Sequence, residues 1–286
     1  MGSDRHGYYN PETNEVIETV PKKDGKGLKN ITIKEVRQMG LVPRVSAIIG
    51  ELNNFQIVNY QIEQAIKACI AVPFTGNIDG LSPMLVDEAL KDYFAVVKAK
   101  AGEHAKDAAE QGTAIHKAVY LGLKDGLVPT DPVQEKAYAA VKAFLGQITA
   151  DDIELEHSLC SRELGFGGTP DIYCTADPAM LEQALGVSVT CEPRAWRVHV
   201  IIDMKSTTFS KYKKPYDSWV LQEGAYRLLT GSDDGTWLLQ CVIDRDYGDV
   251  KWEVHDKPDD AAKAFSNLVN VWTWLHGYDP RTWSSE

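Results

Sequence analysis

The sequence predicts an α/β protein, with a mixed central sheet flanked by helices and a helical lobe before it. Two patterns predict this fold class. Residues 150–256 alternate between short β-prone segments and a helical pattern, whereas residues 55–145 show helical periodicity with proline at two helix starts. With 286 residues, of which 44% are hydrophobic, the chain can bury a sizeable core. We expect an N-terminal arm and helical lobe over residues 1–103 and the sheet-containing core with a C-terminal helix over residues 104–286, unless the whole chain forms one compact domain.

The N-terminal part begins as a polar, turn-rich arm and then becomes helical. We expect a hairpin around Tyr8 to Val16 and an amphipathic helix from Phe55 to Val72. A second helix should start at Ser82-Pro83, where a cap residue precedes proline at the first helical position. A third is expected over Ala105 to Leu123, and Asp131-Pro132 repeats the start signal for a fourth.

The C-terminal part alternates strands and helices. The expected order is strand 153–160, strand 168–175, an insertion around 177–197, strand 198–205, helix 216–230, strand 236–245, strand 250–256 and helix 259–276. Asp217 is the expected cap of the helix over 216–230, and Gly231 lies just past its end.

The most informative segment is Val198 to Lys205. Val198 to Ile202 is apolar or β-branched except for His199, so it predicts a buried strand, and this strand ends in Asp203-Met204-Lys205. Side chains alternate along a strand, so Asp203 and Lys205 project from the same face. A carboxylate there can bind Mg²⁺ while the ammonium group orients an attacking water. For this pair taken alone, a surface salt bridge at a strand end is the alternative.

A second acid, Asp171, follows a Gly-Gly-Thr-Pro turn at residues 167–170 and leads into the β-prone stretch Ile172 to Thr175. The glycines allow either a close backbone approach or a positive φ. We expect Asp171 to enter the sheet beside Asp203, where two carboxylates would repel each other unless a divalent cation lay between them. An isolated Asp after Thr-Pro is otherwise a common turn residue.

Two helical segments add polar residues to this pair of acids. His116 lies on or near the apolar stripe of its helix, where a histidine is either a core residue or a nitrogen ligand that suits Mn²⁺ as well as Mg²⁺. Gln222 and Tyr226 are four residues apart, so they share one helix face and could hydrogen-bond a phosphate or position Lys205. An ordinary helix surface would also show this spacing.

Taken in order, these segments resemble the motifs of the PD-(D/E)XK nuclease superfamily, in its RecB-type and phage-type exonuclease branch. The matching segments are Gly112 to His116 (G-x-x-x-H), Gly167 to Asp171 (G-G-T-P-D), Asp203 to Lys205 (D-x-K) and Gln222 to Tyr226 (Q-x-x-x-Y). The resemblance covers about residues 104–246. It implies a restriction-endonuclease-like core in which a helix, three strands, a helix and a strand follow one another (αβββαβ).

The resemblance also implies roles for individual residues. The catalytic set would be Asp171, Asp203, Lys205, Gln222 and Tyr226. The ligands of Mg²⁺ or Mn²⁺ would be His116, Asp171, Asp203 and the backbone carbonyl of Met204. Glu156, ahead of the Gly-Gly-Thr turn, is a candidate for an additional carboxylate, although an exposed position on a half-buried strand explains it equally well.

Cysteine spacing argues against two other metal centres. Some members of this branch hold an iron–sulfur cluster with four cysteines, whereas the cysteines of this chain are scattered and form no C-x-x-C pair: Cys69, Cys160, Cys174, Cys191 and Cys241. We therefore expect neither an iron–sulfur cluster nor a zinc site. Five cysteines, an odd number, suit reduced thiols in a cytoplasmic protein.

The formal net charge of −11 argues against a protein that coats DNA non-specifically, because phosphate binding depends on Lys and Arg. An enzyme needs only a local basic path. The candidate path combines cations with rings that could stack on single strands: Lys211, Tyr212, Lys213, Lys214 and Trp219. A solvated loop with ordinary lysines is the alternative, and Lys22 to Lys29 forms a second basic stretch.

These observations predict a Mg²⁺- or Mn²⁺-dependent DNA exonuclease that acts on single strands or duplex ends. A phage or prophage recombination role, with a single-strand annealing protein as partner, follows from the resemblance alone, and an oligomer stays open. The rivals are a structure- or site-specific endonuclease with the same site, and a catalytically silent DNA-binding or assembly protein that retains the fold. The opening residues lack the apolar core of a signal peptide and no apolar run reaches the ~18 residues of a membrane helix, so we expect a cytoplasmic protein without a membrane partner.

Overall fold

The computed structural model describes residues 7–52, 55–74, 83–187, 196–210, 212–231, 236–255 and 258–284. The chain divides into two compact units. The smaller one spans Leu52–Thr113, and the larger one combines Arg5–Glu51 with Ala114–Glu286. Residues 5–51 therefore group with the sheet-containing core, whereas the sequence placed them with the helical lobe.

The secondary structure accounts for most of the elements expected from the sequence. The helices are α1 (Ile33–Met39), α2 (Val45–Gly50), α3 (Phe55–Ala71), α4 (Pro83–Asp125), α5 (Pro132–Gln147), α6 (Pro178–Leu185), α7 (Asp217–Thr230) and α8 (Pro258–His276). The strands are β1 (Tyr8–Tyr9), β2 (Val16–Ile17), β3 (Thr19–Pro21), β4 (Leu28–Asn30), β5 (Val42–Pro43), β6 (Asp151–Leu155), β7 (Leu159–Ser161), β8 (Phe166–Gly168), β9 (Ile172–Ala176), β10 (Val198–Thr207), β11 (Trp237–Asp244) and β12 (Val250–Val254). Among the described residues, no helix combines the length and the apolar character needed to cross a bilayer.

The smaller unit is helical and contains α3 and the first part of α4. α3 confirms the helix expected from Phe55. The sequence predicted two helices between Pro83 and Leu123, but the structure has one helix, α4, of 43 residues. After Pro83 this stretch contains no proline, and Gly102 lies in open space. A solvent-facing glycine weakens a helix by only ~1 kcal/mol, so it does not end α4.

The larger unit is built around a five-stranded sheet with the order β12-β11-β10-β9-β6. β10 and β11 are parallel, whereas the other neighbouring strands are antiparallel. The sheet is therefore mixed, and helices pack on it, which confirms the predicted α/β class. β10 is the middle strand, so both of its edges are paired, and its residues from Val200 to Met204 are buried on both faces of the sheet.

Alternation along β10 directs its residues into two separate cores. Ile202 and Met204 pack with residues of α4 and α5, whereas Ile201 packs with residues of α7 and α8. Asp203 and Lys205 lie on the same face as Ile201, because side chains two residues apart point to one side of a strand. The predicted Asp-x-Lys sequence therefore faces the α7 side of the sheet, although β10 continues past Lys205 to Thr207 and does not end there.

The N-terminal arm forms small sheets within the larger unit. β1 pairs with β2, which confirms the hairpin expected around Tyr8 to Val16, and β1 also pairs with β5. β3 and β4 form a second hairpin in the arm, whereas the hairpin of β7 and β8 lies later in the chain, ahead of β9. Tyr9 of β1 is only 1% exposed, so the arm is packed into this unit.

Several boundaries differ from those expected. The strand predicted over 153–160 is two strands, β6 and β7, and the strand predicted over 168–175 is interrupted between β8 and β9. The insertion contains α6, whose first turn is capped by the Asp177 side chain, while residues 188–195 lie outside the described residues. The cap of α7 is Tyr216, and Asp217 is its first helical residue rather than the cap.

The contact between α7 and α8 yields a stability prediction. A Cβ at Gly224 of α7 would lie 2.5 Å from the carbonyl carbon of Ala261, whereas a Cβ at Gly146 of α5 would meet no atom within 4 Å. We expect Gly224→Ala to lower the free energy of unfolding by about 1–3 kcal/mol through overpacking, despite the higher helix propensity of alanine.

Gly146→Ala is the matched control and should leave the free energy of unfolding unchanged or raise it slightly. Denaturant unfolding followed by circular dichroism measures both variants. A Gly224→Ala protein as stable as the wild type would show that the two helices do not meet at this glycine.

Candidate active site

Asp203 lies at the centre of the candidate site and is 2% exposed. Its carboxylate pairs with the ammonium group of Lys205, and its Oδ1 accepts a hydrogen bond from Gln222 Nε2 at 3.2 Å. Removing a lone carboxylate from water costs several kcal/mol, so these partners are what make its burial tolerable. The Lys205 side chain is itself largely buried, at 18% exposed, so the pair is not the surface salt bridge that the sequence left as an alternative.

Gln222 of α7 connects this helix to Asp203 and Lys205 of β10. Its Nε2 donates to Asp203 Oδ1 and, at 2.6 Å, to the Tyr226 hydroxyl, while its Oε1 accepts from Lys205 Nζ at 2.9 Å. A carboxylate can only accept and an ammonium group can only donate, so these partners fix which end of the amide faces each. The predicted shared face of Gln222 and Tyr226 is therefore directed at Asp203 and Lys205 of β10.

Tyr226 extends the network to the Gly-Gly-Thr turn. Its hydroxyl donates to the carbonyl of Thr169 at 3.1 Å. A Cβ at Gly168 would lie 2.6 Å from Cε1 of Tyr226, and a Cβ at Gly167 would lie 2.6 Å from Cδ2 of Tyr9. Neither glycine has a positive φ. Of the two roles that the sequence allowed for these glycines, the structure shows close approach.

Asp171 precedes β9 and lies beside the part of β10 that carries Asp203. Its Oδ2 accepts a hydrogen bond of 2.6 Å from the backbone N–H of Met204. Burial raises the pKa of the Asp171 carboxyl well above its usual range, and the negative charge of Asp203 raises it further, although Lys205 and the Met204 N–H oppose the shift. Asp203 is thus close enough for its charge to act on Asp171.

His116 approaches this pair from α4. Its Nδ1 lies 3.7 Å from Oδ1 of Asp171. Burial lowers the pKa of His116 to about 4, and the attraction of Asp203 is not strong enough to restore it. The imidazole is therefore neutral at pH 7, so the contact with Asp171 is not an ion pair and the ring keeps a lone pair for a ligand.

The described residues contain no group of three or more His, Cys, Asp or Glu side chains already arranged to hold a metal ion. His116 and Asp171 nevertheless approach to 3.7 Å, and the charge of Asp203 acts on both of them. Two carboxylates with a neutral imidazole suit Mg²⁺ or Mn²⁺. A cation would also offset the burial and the repulsion by Asp203 that together raise the pKa of Asp171. Because Lys205 neutralises Asp203 in this structure, a metal ion and the ammonium group would compete for the same carboxylate.

Glu156 lies next to this group in an unusual backbone conformation. Its φ is +49°, a left-handed value that a residue with a Cβ adopts at some cost in energy. Its N–H donates to the Asp171 carbonyl at 2.9 Å, and its side chain is exposed. Its charge also contributes to the raised pKa of Asp171, so Glu156 is close enough to act on the site electrostatically.

The predicted DNA-binding segment is only partly open to a ligand. Lys211 lies outside the described residues, and Lys213 and Lys214 are exposed. Tyr212 is 8% exposed, its ring stacks on Trp219 with 6.0 Å between centroids, and its hydroxyl donates to Glu253 Oε1 at 3.3 Å. The prediction that Tyr212 offers a stacking surface is therefore wrong, because packing against Trp219 and the edge of the sheet already covers the ring.

Sequence reasoning missed two residues that the structure brings to the site. The Tyr9 hydroxyl lies 2.7 Å from Thr169 Oγ1, and the 160 positions between them leave no local pattern that could reveal the contact. Glu223 is 1% exposed, and its Oε1 has no hydrogen-bond partner among the residues that the structure describes. Its position next to Gln222 was visible in the motif, but only the packing of α7 shows that this acid points inward.

Comparisons with known proteins add little to this geometry. No protein-family model matches the chain, and no curated protein matches it either. The structure is similar to the crystal structure of SSO0001, with a TM-score of 0.34, 12% identity, and 77% of this chain and 86% of that chain covered. It is also similar to a protein from Eubacterium rectale named "putative exonuclease", with a TM-score of 0.32, 10% identity, and 73% of this chain and 71% of that chain covered. Similarities of this size decide neither fold nor function.

Glu223 yields a prediction about pH and stability. Burial raises the pKa of Glu223 well above its usual value, and the charge of Asp203 adds to the shift. Between the unfolded and folded pKa values the folded protein binds more protons, so stability falls as the pH rises through this interval. Glu223→Gln removes this titration. We expect the free energy of unfolding of Glu223→Gln to exceed that of the wild type by an amount that grows as the pH rises above about 4.3.

Urea unfolding at a series of pH values measures this difference. Glu163→Gln, at an exposed position, is the control and should follow the wild-type pH dependence. Parallel curves for Glu223→Gln and the wild type would mean that Glu223 finds a compensating partner in the folded protein.

Proposed function

We propose that this protein is a Mg²⁺- or Mn²⁺-dependent DNA exonuclease of the PD-(D/E)XK superfamily, in its RecB-type and phage-type branch. The observation that supports this proposal most is the network in which Gln222 joins Lys205, Asp203 and Tyr226. These residues come from two of the matched motifs, and Tyr226 then reaches Thr169 of a third. Simple packing of α7 on the sheet would not require their polar groups to meet.

The order of the elements is compatible with the same family. α4 carries His116, the sheet strands β6, β9 and β10 follow it, and α7 and β11 come next. This is the order helix, three strands, helix, strand. α5, α6 and the β7–β8 hairpin are additions between these elements.

The residues of this chain would have separate roles in phosphodiester hydrolysis. Asp171 and Asp203 would hold the metal ion, with neutral His116 and the Met204 carbonyl, and Glu156 would be the candidate for an additional carboxylate. The bound ion would stabilise the negative charge that develops on the phosphate. Lys205 would orient the attacking water, and Gln222 would hold the ammonium group in place through its Oε1.

The basic residues near α7 would guide DNA towards this site. Lys213 and Lys214 are exposed between the end of β10 and the start of α7, and both of these elements carry site residues. Tyr216, at 36% exposed, and Trp219 offer the remaining aromatic surface of this segment. A recombination role and a single-strand annealing partner rest on the sequence resemblance alone.

End-labelled DNA tests the proposed activity directly. Linear single-stranded and duplex DNA should be shortened from their ends in the presence of Mg²⁺ or Mn²⁺ and should stay intact with EDTA. Closed circular DNA distinguishes the first rival, because an endonuclease would cut it and an exonuclease would not. If neither metal ion led to cleavage of any DNA substrate, the result would favour the second rival, a DNA-binding protein that retains the fold.

Lys205 offers a test of the chemical step. We expect Lys205→Met, which keeps an unbranched stem of four atoms and lacks the ammonium group, to lower kcat by about 10²-fold or more, the scale of losing a positioned proton-transfer or electrostatic group. Lys251→Met is the matched control, because Lys251 lies in the same row of the sheet, paired across Val242 of β11, but is exposed and sits over the Phe209 ring. A kcat for Lys205→Met equal to that of the control would remove Lys205 from the mechanism.

The DNA path has a separate test in the salt dependence of binding. Replacing Lys213 and Lys214 by Gln should weaken binding to all sequences alike and should flatten the dependence of log K on log[salt], since fewer counterions are released. The same double change at Lys22 and Lys23, which are exposed in the β3–β4 hairpin, is the control. If only the control variant changes the slope, the DNA runs past the N-terminal hairpin instead.

A further inference from the structure

We infer that Tyr9 is a positioning residue for the candidate active site, an inference that rests on the proposed function. Tyr9 belongs to β1 in the N-terminal arm, and none of the four motifs includes it. Its ring is 1% exposed. Its hydroxyl nevertheless makes a specific contact, at 2.7 Å from Oγ1 of Thr169, in the turn that leads to Asp171.

Thr169 is held from two directions. Tyr9 contacts its side chain, and the same Oγ1 lies 3.1 Å from the Ser158 hydroxyl. Tyr226, a member of the Gln222 network, donates to its backbone carbonyl. Side chain and carbonyl together fix the orientation of this residue, and Tyr9 is one of its two side-chain partners.

The position of Thr169 is transmitted to Asp171 through one residue. Pro170 stands between them, and its ring fixes its own φ and restricts the backbone of Thr169. The direction in which the chain enters β9 is therefore set by how Thr169 is held. Asp171 then places its Oδ2 on the Met204 N–H, beside Asp203. Tyr9 thus acts on the acid pair through Thr169 and does not touch it.

The surroundings of Tyr9 are shaped to hold the ring. Gly167 leaves the space that the ring fills, since a Cβ there would lie 2.6 Å from the Tyr9 ring. β5 pairs with β1 at Val42, and the Arg44 guanidinium lies 6.0 Å from the centroid of the ring. Phenylalanine would fill this space as well as tyrosine does, so packing accounts for the ring, and the contact with Thr169 accounts for the hydroxyl.

Tyr9→Phe removes only this hydroxyl and is the central variant of the test. Calorimetric titration with Mn²⁺ in the absence of DNA should show binding weakened by about tenfold or more, the usual scale for losing a partner that orients a metal ligand. With DNA, kcat should fall by a similar factor while KM stays near the wild-type value, because the DNA path is unchanged. Amide exchange should become faster in residues 166–172.

Tyr278→Phe is the matched control, because it also removes a buried tyrosine hydrogen bond, from Tyr278 to the Leu41 carbonyl at 2.9 Å. It should lower thermal stability and leave Mn²⁺ affinity and exchange of residues 166–172 unchanged. Thr169→Val removes the other half of the contact, together with the contact to Ser158, and should weaken Mn²⁺ binding at least as much as Tyr9→Phe does. The double variant should then be no worse than Thr169→Val alone, because Tyr9→Phe removes an interaction that this variant already lacks.

Two outcomes would overturn the inference. One is a Tyr9→Phe protein that differs from the wild type in stability alone, as the control does. The other is an additive effect of Tyr9→Phe and Thr169→Val on Mn²⁺ affinity. If the wild-type protein binds Mn²⁺ but cuts no DNA, the proposed nuclease function is wrong. The role of Tyr9 would still be tested by the Mn²⁺ affinity and the amide exchange of the variants.

Discussion

The burial of the Asp203 carboxylate is the constraint on which the candidate site depends. Asp203 lies on the middle strand of the sheet, where neither face is open to water, so its charge must be compensated by the protein. Strand alternation brings Lys205 to the same face, and α7 supplies Gln222. The remaining hydrogen bonds of the Gln222 amide then require Tyr226, which in turn reaches Thr169. Each group is satisfied by the next, so the network is ordered as a unit.

The sheet carries more buried polar groups near Asp203 than its stability requires. Gln240 lies opposite Asp203 on β11 and is 1% exposed, and within the described part of the chain neither polar atom of its amide has a hydrogen-bond partner. Glu223 adds a second buried acid to the same region. Unpaired buried groups of this kind cost about 1–3 kcal/mol each. Apolar residues would make a more stable sheet here, and local conflicts of this kind are expected where a site serves a function.

Contacts between the N-terminal and C-terminal segments hold both of them in the larger unit. Tyr278, after α8, donates to the Leu41 carbonyl, and Trp283 donates through its indole N–H to the Arg37 carbonyl. A Cβ at Gly40 would lie 2.5 Å from the Trp283 ring, so the turn after α1 is shaped to receive this ring. These contacts place residues 5–51 in the same unit as the site. The arm could therefore contribute Tyr9 to the Gly-Gly-Thr turn.

The sequence by itself determined the fold class, most helices and strands, and the residues that meet around Asp203. These features depend on local rules: periodicity predicts the elements, alternation places Asp203 and Lys205 on one face, and a spacing of four does the same for Gln222 and Tyr226. Local rules could not show that Pro83–Asp125 is one helix, that Tyr212 is buried under Trp219, or that Glu223 points inward. Nor could they reveal Tyr9, whose partner is 160 positions away. Only the tertiary structure decided these points, because burial and long-range hydrogen bonds depend on which elements pack together, and no single segment of the sequence carries that information.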